Sequence, residues 1–231
     1  MHVPNNCVYL GVTCNFSNTM EKIIDGIINP IEYYKKDNIK ILWILKEGNV
    51  DINDYNKKRN ICEEFKNGEH IKNARSIATF RKIIYASYWI FNREMNWDEI
   101  PCSNDLECYN IVNNIAYINI NKYPAGNKSY DSELYKIYEK EKKDLLNQIE
   151  NINPEVIIFG NTFKFFKKDL HIINWDIQNT EQKFSEENNY YIVKNKGLII
   201  SAYHPAYPRL NNFKYSNEIK EIYTNYLKSK L

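Results

Sequence analysis

Long apolar runs are missing from this chain. None approaches the ~18 residues a membrane span needs, and the N-terminus lacks a signal-peptide pattern. The expectation is a cytoplasmic protein with no membrane partner. Cysteine is scarce and irregular: Cys7, Cys14, Cys62, Cys102 and Cys108 are odd in number and form no C-x-x-C pair. That spacing argues against a disulfide framework and against zinc or iron–sulfur ligation, so no metal or cofactor is expected. Charge of one sign is lacking too. A net charge of +2 excludes a strongly basic arm but leaves room for a local basic groove. Internal repeats and long linkers are also absent, and 231 residues suit a single domain over 1–231.

Apolar and aromatic residues are plentiful, at 43% and 14%, enough for a large core. Tyrosine, asparagine, lysine and isoleucine dominate, a bias that reads as AT-rich coding rather than disorder. Asn18 or Thr19 is placed to cap a helix through about residue 28, ended by Asn29-Pro30. Residues 39–45, Ile-Lys-Ile-Leu-Trp-Ile-Leu, read as a central strand covered on both faces. Residues 50–72 are polar and mixed and read as a helical excursion or lid over a site. Ile77, Phe80, Ile84, Tyr88 and Phe91 recur at helical steps over residues 73–91, with Arg75, Arg81 and Lys82 on the solvated faces. A second strand covers 115–120, a helix 131–150, and a third strand 155–159, after which Thr162 can cap a helical turn. Residues 190–193 read as an added strand beside a fourth, 198–203, and Ser216 as the cap of a C-terminal helix. Four apolar strands alternating with helices imply an α/β fold: a three-layer α/β/α sandwich around a central, mostly parallel four-stranded sheet.

Each of these strands ends in residues that can carry chemistry. The first runs into Lys46-Glu47-Gly48-Asn49, where a glycine allows close approach of a ligand to backbone. The second carries Asn119 and exits through Asn121-Lys122-Tyr123-Pro124-Ala125-Gly126, read as a turn. Asn119 in a buried strand either ties down a neighbouring loop or offers one donor and one acceptor to a ligand. The third ends in Gly160-Asn161. The fourth ends in His204-Pro205-Ala206-Tyr207-Pro208-Arg209, where the prolines stop the ladder and hold His204 at the mouth of the sheet.

Taken in order, these strand ends resemble the uracil-DNA glycosylase superfamily over residues 39–209, with flanking helices packing on that core. In that family the first motif follows the first core strand and the second is a His-Pro-Ser-like turn. The resemblance implies a DNA glycosylase that hydrolyses the N-glycosidic bond of a damaged or modified base flipped out of DNA, acting as a monomer. It implies Glu47 as the carboxylate that orients water and His204 as the group that stabilises the leaving base. Asn119, with Gly48 and Asn49, would bind the base. Lys46, Lys122 and Arg209 would contact phosphate, and the stretch from Tyr207 through Leu210 would wedge into the duplex. Tyr55, Phe65 and His70 are open candidates for the aromatic on which the base stacks.

Several positions depart from the family pattern. Lys46 stands where the first motif has glycine, Asn49 where it has proline, and Ala206 where serine is common. The aspartate of the best-known branch and the four cysteines of the iron–sulfur branches have no counterpart. Two other readings stay open: an inactive DNA- or nucleotide-binding module of the same fold, and an enzyme acting on a small nucleotide. A role in host defence against modified phage DNA is compatible with the same departures.

Overall fold

The computed structural model describes residues 21–49, 58–125, 130–178, 181–186 and 188–230. The chain is α/β, built on a seven-stranded mixed sheet. Its strands are β1 (Gly26–Ile27), β2 (Ile41–Asn49), β3 (Ile115–Ala125), β4 (Val156–Gly160), β5 (Glu181–Lys183), β6 (Asn189–Val193) and β7 (Gly197–Ala202), in the order β1-β3-β2-β4-β7-β6-β5. The four strands expected from the sequence are adjacent and mutually parallel as β3-β2-β4-β7. The sheet is wider than four strands because β1 adds antiparallel to β3 on one side, and β6 and β5 add antiparallel beyond β7 on the other.

Helices α1 (Pro30–Tyr33), α2 (Ile61–Lys66), α3 (Ile71–Ser76), α4 (Ala78–Phe91), α5 (Leu106–Tyr109), α6 (Asp131–Ile152), α7 (Phe163–Phe166) and α8 (Asn212–Ser229) supply the covering layers. Strand alternation divides the core between two faces. Ile41, Trp43 and Leu45 of β2 and Tyr117 of β3 join Ile158 and Ile200 beneath α4 and α8. Leu42, Ile44, Ile118, Ile157 and Ile199 face Leu134, Tyr138, Leu145 and Ile149 of α6. Buried Trp43 donates to Ser87 Oγ at 3.0 Å, fastening β2 to α4.

Several local expectations are corrected. The described part of the expected helix ending near residue 28 runs extended, because Gly26–Ile27 pairs with β3 and Ile24 bridges Asn60. Helix starts instead at Pro30, a residue suited to a first helical position. The helix expected over 73–91 breaks at Ile77, which is extended (φ −86, ψ 113) and 41% exposed. Thr162 makes no cap bond; its hydroxyl donates to the Ile44 carbonyl at 2.7 Å. The cap of α8 is Asn211, whose side chain accepts from the Lys214 N–H, while Ser216 is buried inside the helix. Of the expected 50–72 excursion, α2 and the start of α3 are helical; residues 50–57 lie outside the described residues.

Candidate functional site

Two strands outrun the rest of the sheet. β2 and β3 do not end where the sequence suggested. They stay paired through Glu47↔Asn121 and Asn49↔Ala125, with a register shift between Glu47 and Asn49. The stretch Lys46-Glu47-Gly48-Asn49 and residues 121–125 of the expected turn are therefore strand, while Gly126 lies outside the described residues. Such irregularities bend a ribbon and re-aim its side chains. β4 stops at Gly160, one residue past the Ile44↔Phe159 pair. The β2–β3 ribbon thus rises beside a shelf formed by the end of β4. The chain runs from β2 to β3 on one side and then crosses to β4 on the other, so β2 and β4 meet where the winding direction reverses. In open α/β sheets, ligands bind at the carboxyl ends of strands flanking that reversal.

The turn after β7 leans over this shelf. A Cβ added at Gly160 would collide with Leu45 Cδ2 and come within 3.0 Å of Pro205 Cδ. The His204-Pro205 turn therefore crosses the end of β4 toward β2. Without that overhang, β7 and β3 would stay roughly 14 Å apart by strand spacing alone. The turn is held by its own bonds. Tyr207 N–H donates to the His204 carbonyl at 2.8 Å, Ala206 N–H donates to His204 Nδ1 at 3.1 Å, and Tyr215 of α8 donates its hydroxyl to the Tyr203 carbonyl at 3.0 Å. The rings of Tyr203 and Tyr207 stack at 4.4 Å, 8° from parallel.

Because Nδ1 accepts, the proton of neutral His204 sits on Nε2, which becomes a donor. Burial, with the charges of Lys46 and Lys82 behind it, pushes the imidazole down to about 4. His204 is therefore an uncharged hydrogen-bond donor at neutral pH.

Glu47 and Asn119 lie on the same face of the ribbon. Asn119 is paired in register with Leu45, and Glu47 lies two residues, about 6.6 Å, further along β2. Asn119 is 1% exposed, yet neither atom of its amide has a hydrogen-bond partner among the described residues. The buried Tyr117 hydroxyl comes near this amide without meeting hydrogen-bond geometry. The backbone N–H of Asn119 is satisfied by Asp25 Oδ2 at 2.8 Å, so the strand is fixed while the amide is left over.

The remaining candidates divide. Lys46 is on the opposite face of β2, paired with Asp131 at 3.2 Å. Asp131 also pairs with Lys164; that bond, against some burial, and then Lys46 hold its carboxyl below the usual range. Lys122 belongs to another neighbourhood. It is ion-paired with buried Asp25 at 2.6 Å and donates to Gln148 Oε1 at 2.8 Å. Leu210 is buried in the core, leaving Pro208 and Arg209 as the exposed tip of the turn beside half-buried Tyr207. The backbones of Gly48 and Asn49 belong to β2. Of the stacking candidates, Phe65 is buried, with ring centroids 5.9 Å from Tyr117, 5.1 Å from Phe80 and 4.7 Å from His70. Tyr55 lies outside the described residues.

Lys82 was expected on a solvated face and is instead 3% exposed. Its Nζ donates to the Tyr207 carbonyl at 2.8 Å and lies 5.3 Å from the centroid of the Tyr215 ring. The signal was present in the sequence. Ala86, Trp89 and Ile90 lie four, seven and eight residues on, the spacing of one helical face, and all are buried.

A cleft of about 410 Å³ opens beside the turn, lined in part by Asn161, Lys164, Lys167, Tyr191 and Tyr203. Among the described residues, no group of three His, Cys, Asp or Glu side chains is placed to hold a metal ion, and no helix is long and apolar enough to cross a membrane. No protein-family model matches the chain, and no curated protein matches it in sequence.

Proposed function

We propose that this protein is a DNA glycosylase, hydrolysing the N-glycosidic bond of a damaged or modified base extruded from DNA. In this reading the four parallel strands and their covering helices form a uracil-DNA glycosylase-like sandwich. The observation that carries the reading is Asn119. A buried amide with both polar atoms unpartnered costs about 1–3 kcal/mol for each orphaned group. A ligand presenting a donor and an acceptor side by side restores both bonds. A base edge does so; a phosphate offers only acceptors.

The chemistry follows from the neighbours. As the bond between C1′ and the base nitrogen lengthens, its electron pair leaves with the base and positive charge grows on the sugar. His204 Nε2–H donates to the departing base, and a donor aimed at developing charge contributes on the order of 10²–10³ in rate. The Glu47 carboxylate offsets the sugar's charge, orients a water toward C1′ and accepts its proton. Extrusion costs a few kcal/mol, offset by contacts in the pocket and by a wedge, a role this reading gives to the exposed Pro208 and Arg209 of the 207–210 stretch. Arg209, and Lys46 if a phosphate competes with Asp131, supply backbone contacts.

The test is release of free base from single- and double-stranded DNA carrying uracil, hypoxanthine, xanthine or modified cytosines. Release that is lost in both Glu47→Ala and His204→Ala proteins is expected. Salt-dependent DNA binding without release of any base would replace this reading with a binding module. Turnover of a free nucleotide without DNA binding would replace it with a small-nucleotide enzyme.

A further inference from the structure

We propose that Lys82 is the positioning residue of this site, holding the His204–Tyr207 turn over the end of β4 through the Tyr207 carbonyl. The assignment rests on the glycosylase reading only for what His204 does; the placement of the turn is independent of it. A buried lysine normally faces a carboxylate. The contacts of Lys82 Nζ are instead a backbone carbonyl, at 2.8 Å, and the face of the Tyr215 ring. Burial, with the charge of Arg81, lowers its affinity for a proton. An amine kept under such conditions marks a position where an apolar side chain would pack more cheaply, and its bond serves the segment it holds.

That segment has few other anchors. Tyr207 and Ala206 direct their N–H groups back onto His204 itself, and Pro205 and Pro208 have none to give. Among the described residues, side-chain bonds reach the turn from two helices, Lys82 of α4 to the Tyr207 carbonyl and Tyr215 of α8 to the Tyr203 carbonyl. The first anchors the turn at Tyr207, three residues past His204. Among the described residues, the charged groups acting on that ring are Lys82 from α4 and Lys46 from β2, both positive, while β4 brings only its end, Gly160, against Pro205. Lys46 has no bond to the turn and pairs with Asp131. The two lysines therefore share an electrostatic role, and only Lys82 has a mechanical one.

Comparison of Lys82→Met with Lys46→Met separates these roles. Hydrogen exchange at the Ala206 and Tyr207 amides reports the turn, and NMR titration of the His204 ring reports its surroundings. In Lys82→Met, both amides are expected to lose protection at least tenfold, with the His204 midpoint rising by about one unit. In Lys46→Met, the midpoint is expected to rise while both amides stay protected. Unchanged protection of both amides in Lys82→Met would overturn the proposal. If that protein is too unstable, measurements in sucrose favour the folded state. Lys82→Gln, which stops one bond short of the carbonyl, is then read by the same signals. None of these readouts needs substrate. A wild-type protein that releases no base would sink the glycosylase reading and leave this result standing.

Discussion

At the scale of single residues, Asn119 is the most informative side chain. A buried asparagine that bonds its surroundings loses stability when truncated. One whose amide is unpartnered loses only its packing and sheds the cost of two orphaned groups. Asn119→Ala is therefore expected to unfold in urea at the wild-type midpoint or above it, by up to about 1 kcal/mol. The same protein should discriminate less between bases, by ~1–3 kcal/mol. A loss of several kcal/mol would mean that the amide is structural. Sequence alone left Asn119 between tying a loop and meeting a ligand, and only its surroundings distinguish the two. The tie to the neighbouring segment exists, but it runs from the backbone N–H of Asn119 to Asp25 rather than from the amide.

At the scale of elements, the overhang of one turn on one strand end decides whether the site assembles. Gly160 permits it by lacking a Cβ where Pro205 and Leu45 converge. Leu45 can rotate; Pro205 is rigid. Gly160→Ala is expected to displace the His204 turn and lower turnover at least tenfold with a smaller effect on stability, read from base release and urea unfolding together. Full turnover in that protein would show that His204 does not work from this turn. The β1 edge makes the opposite prediction for Lys122. Removing one member of a buried ion pair strands the other, so Lys122→Met is expected to destabilise the fold by about 3–5 kcal/mol. A pure phosphate contact would leave stability alone and reduce the salt slope of DNA binding by about one.

At the scale of the whole molecule, two partly buried groups, Glu64 and His204, shape the response to acid. Burial works against the charge of Glu64, but hydrogen bonds from His70 and Arg59 outweigh it and hold the carboxyl at about 2 against an ordinary 4.5. Its stabilisation is present above the unfolded value and is lost as pH falls from 4.5 toward 2. His204 falls from 6.5 to about 4, so the unfolded chain takes up this proton first. Its contribution is lost as pH falls through that interval. Both shifts have the same sign. Denaturant midpoints should be flat near pH 7–8, decline below about 6.5 and fall more steeply below 4.5. A maximum near pH 5 would contradict the assignment of His204. Much of this architecture was legible in one dimension. The apolar runs at 39–45, 115–120, 155–159 and 198–203 read as buried strands, and the helices between them made the crossovers parallel. Hydrophobic burial acts on local patterns that a sequence displays. It also placed His204 just past the end of β7, which the apolar run and the prolines mark directly, whereas Asn119, read as the end of a strand, lies inside β3. Strand length past residue 45, the edge strand at Gly26–Ile27, the burial of Lys82 and the ion pair of Lys122 came from partners 74 to 125 residues away. A hydrogen bond or ion pair of that range has no local signature, because either partner alone reads as solvated. Only the tertiary structure decides which polar groups are satisfied by one another and which, like the amide of Asn119, have no partner among the described residues.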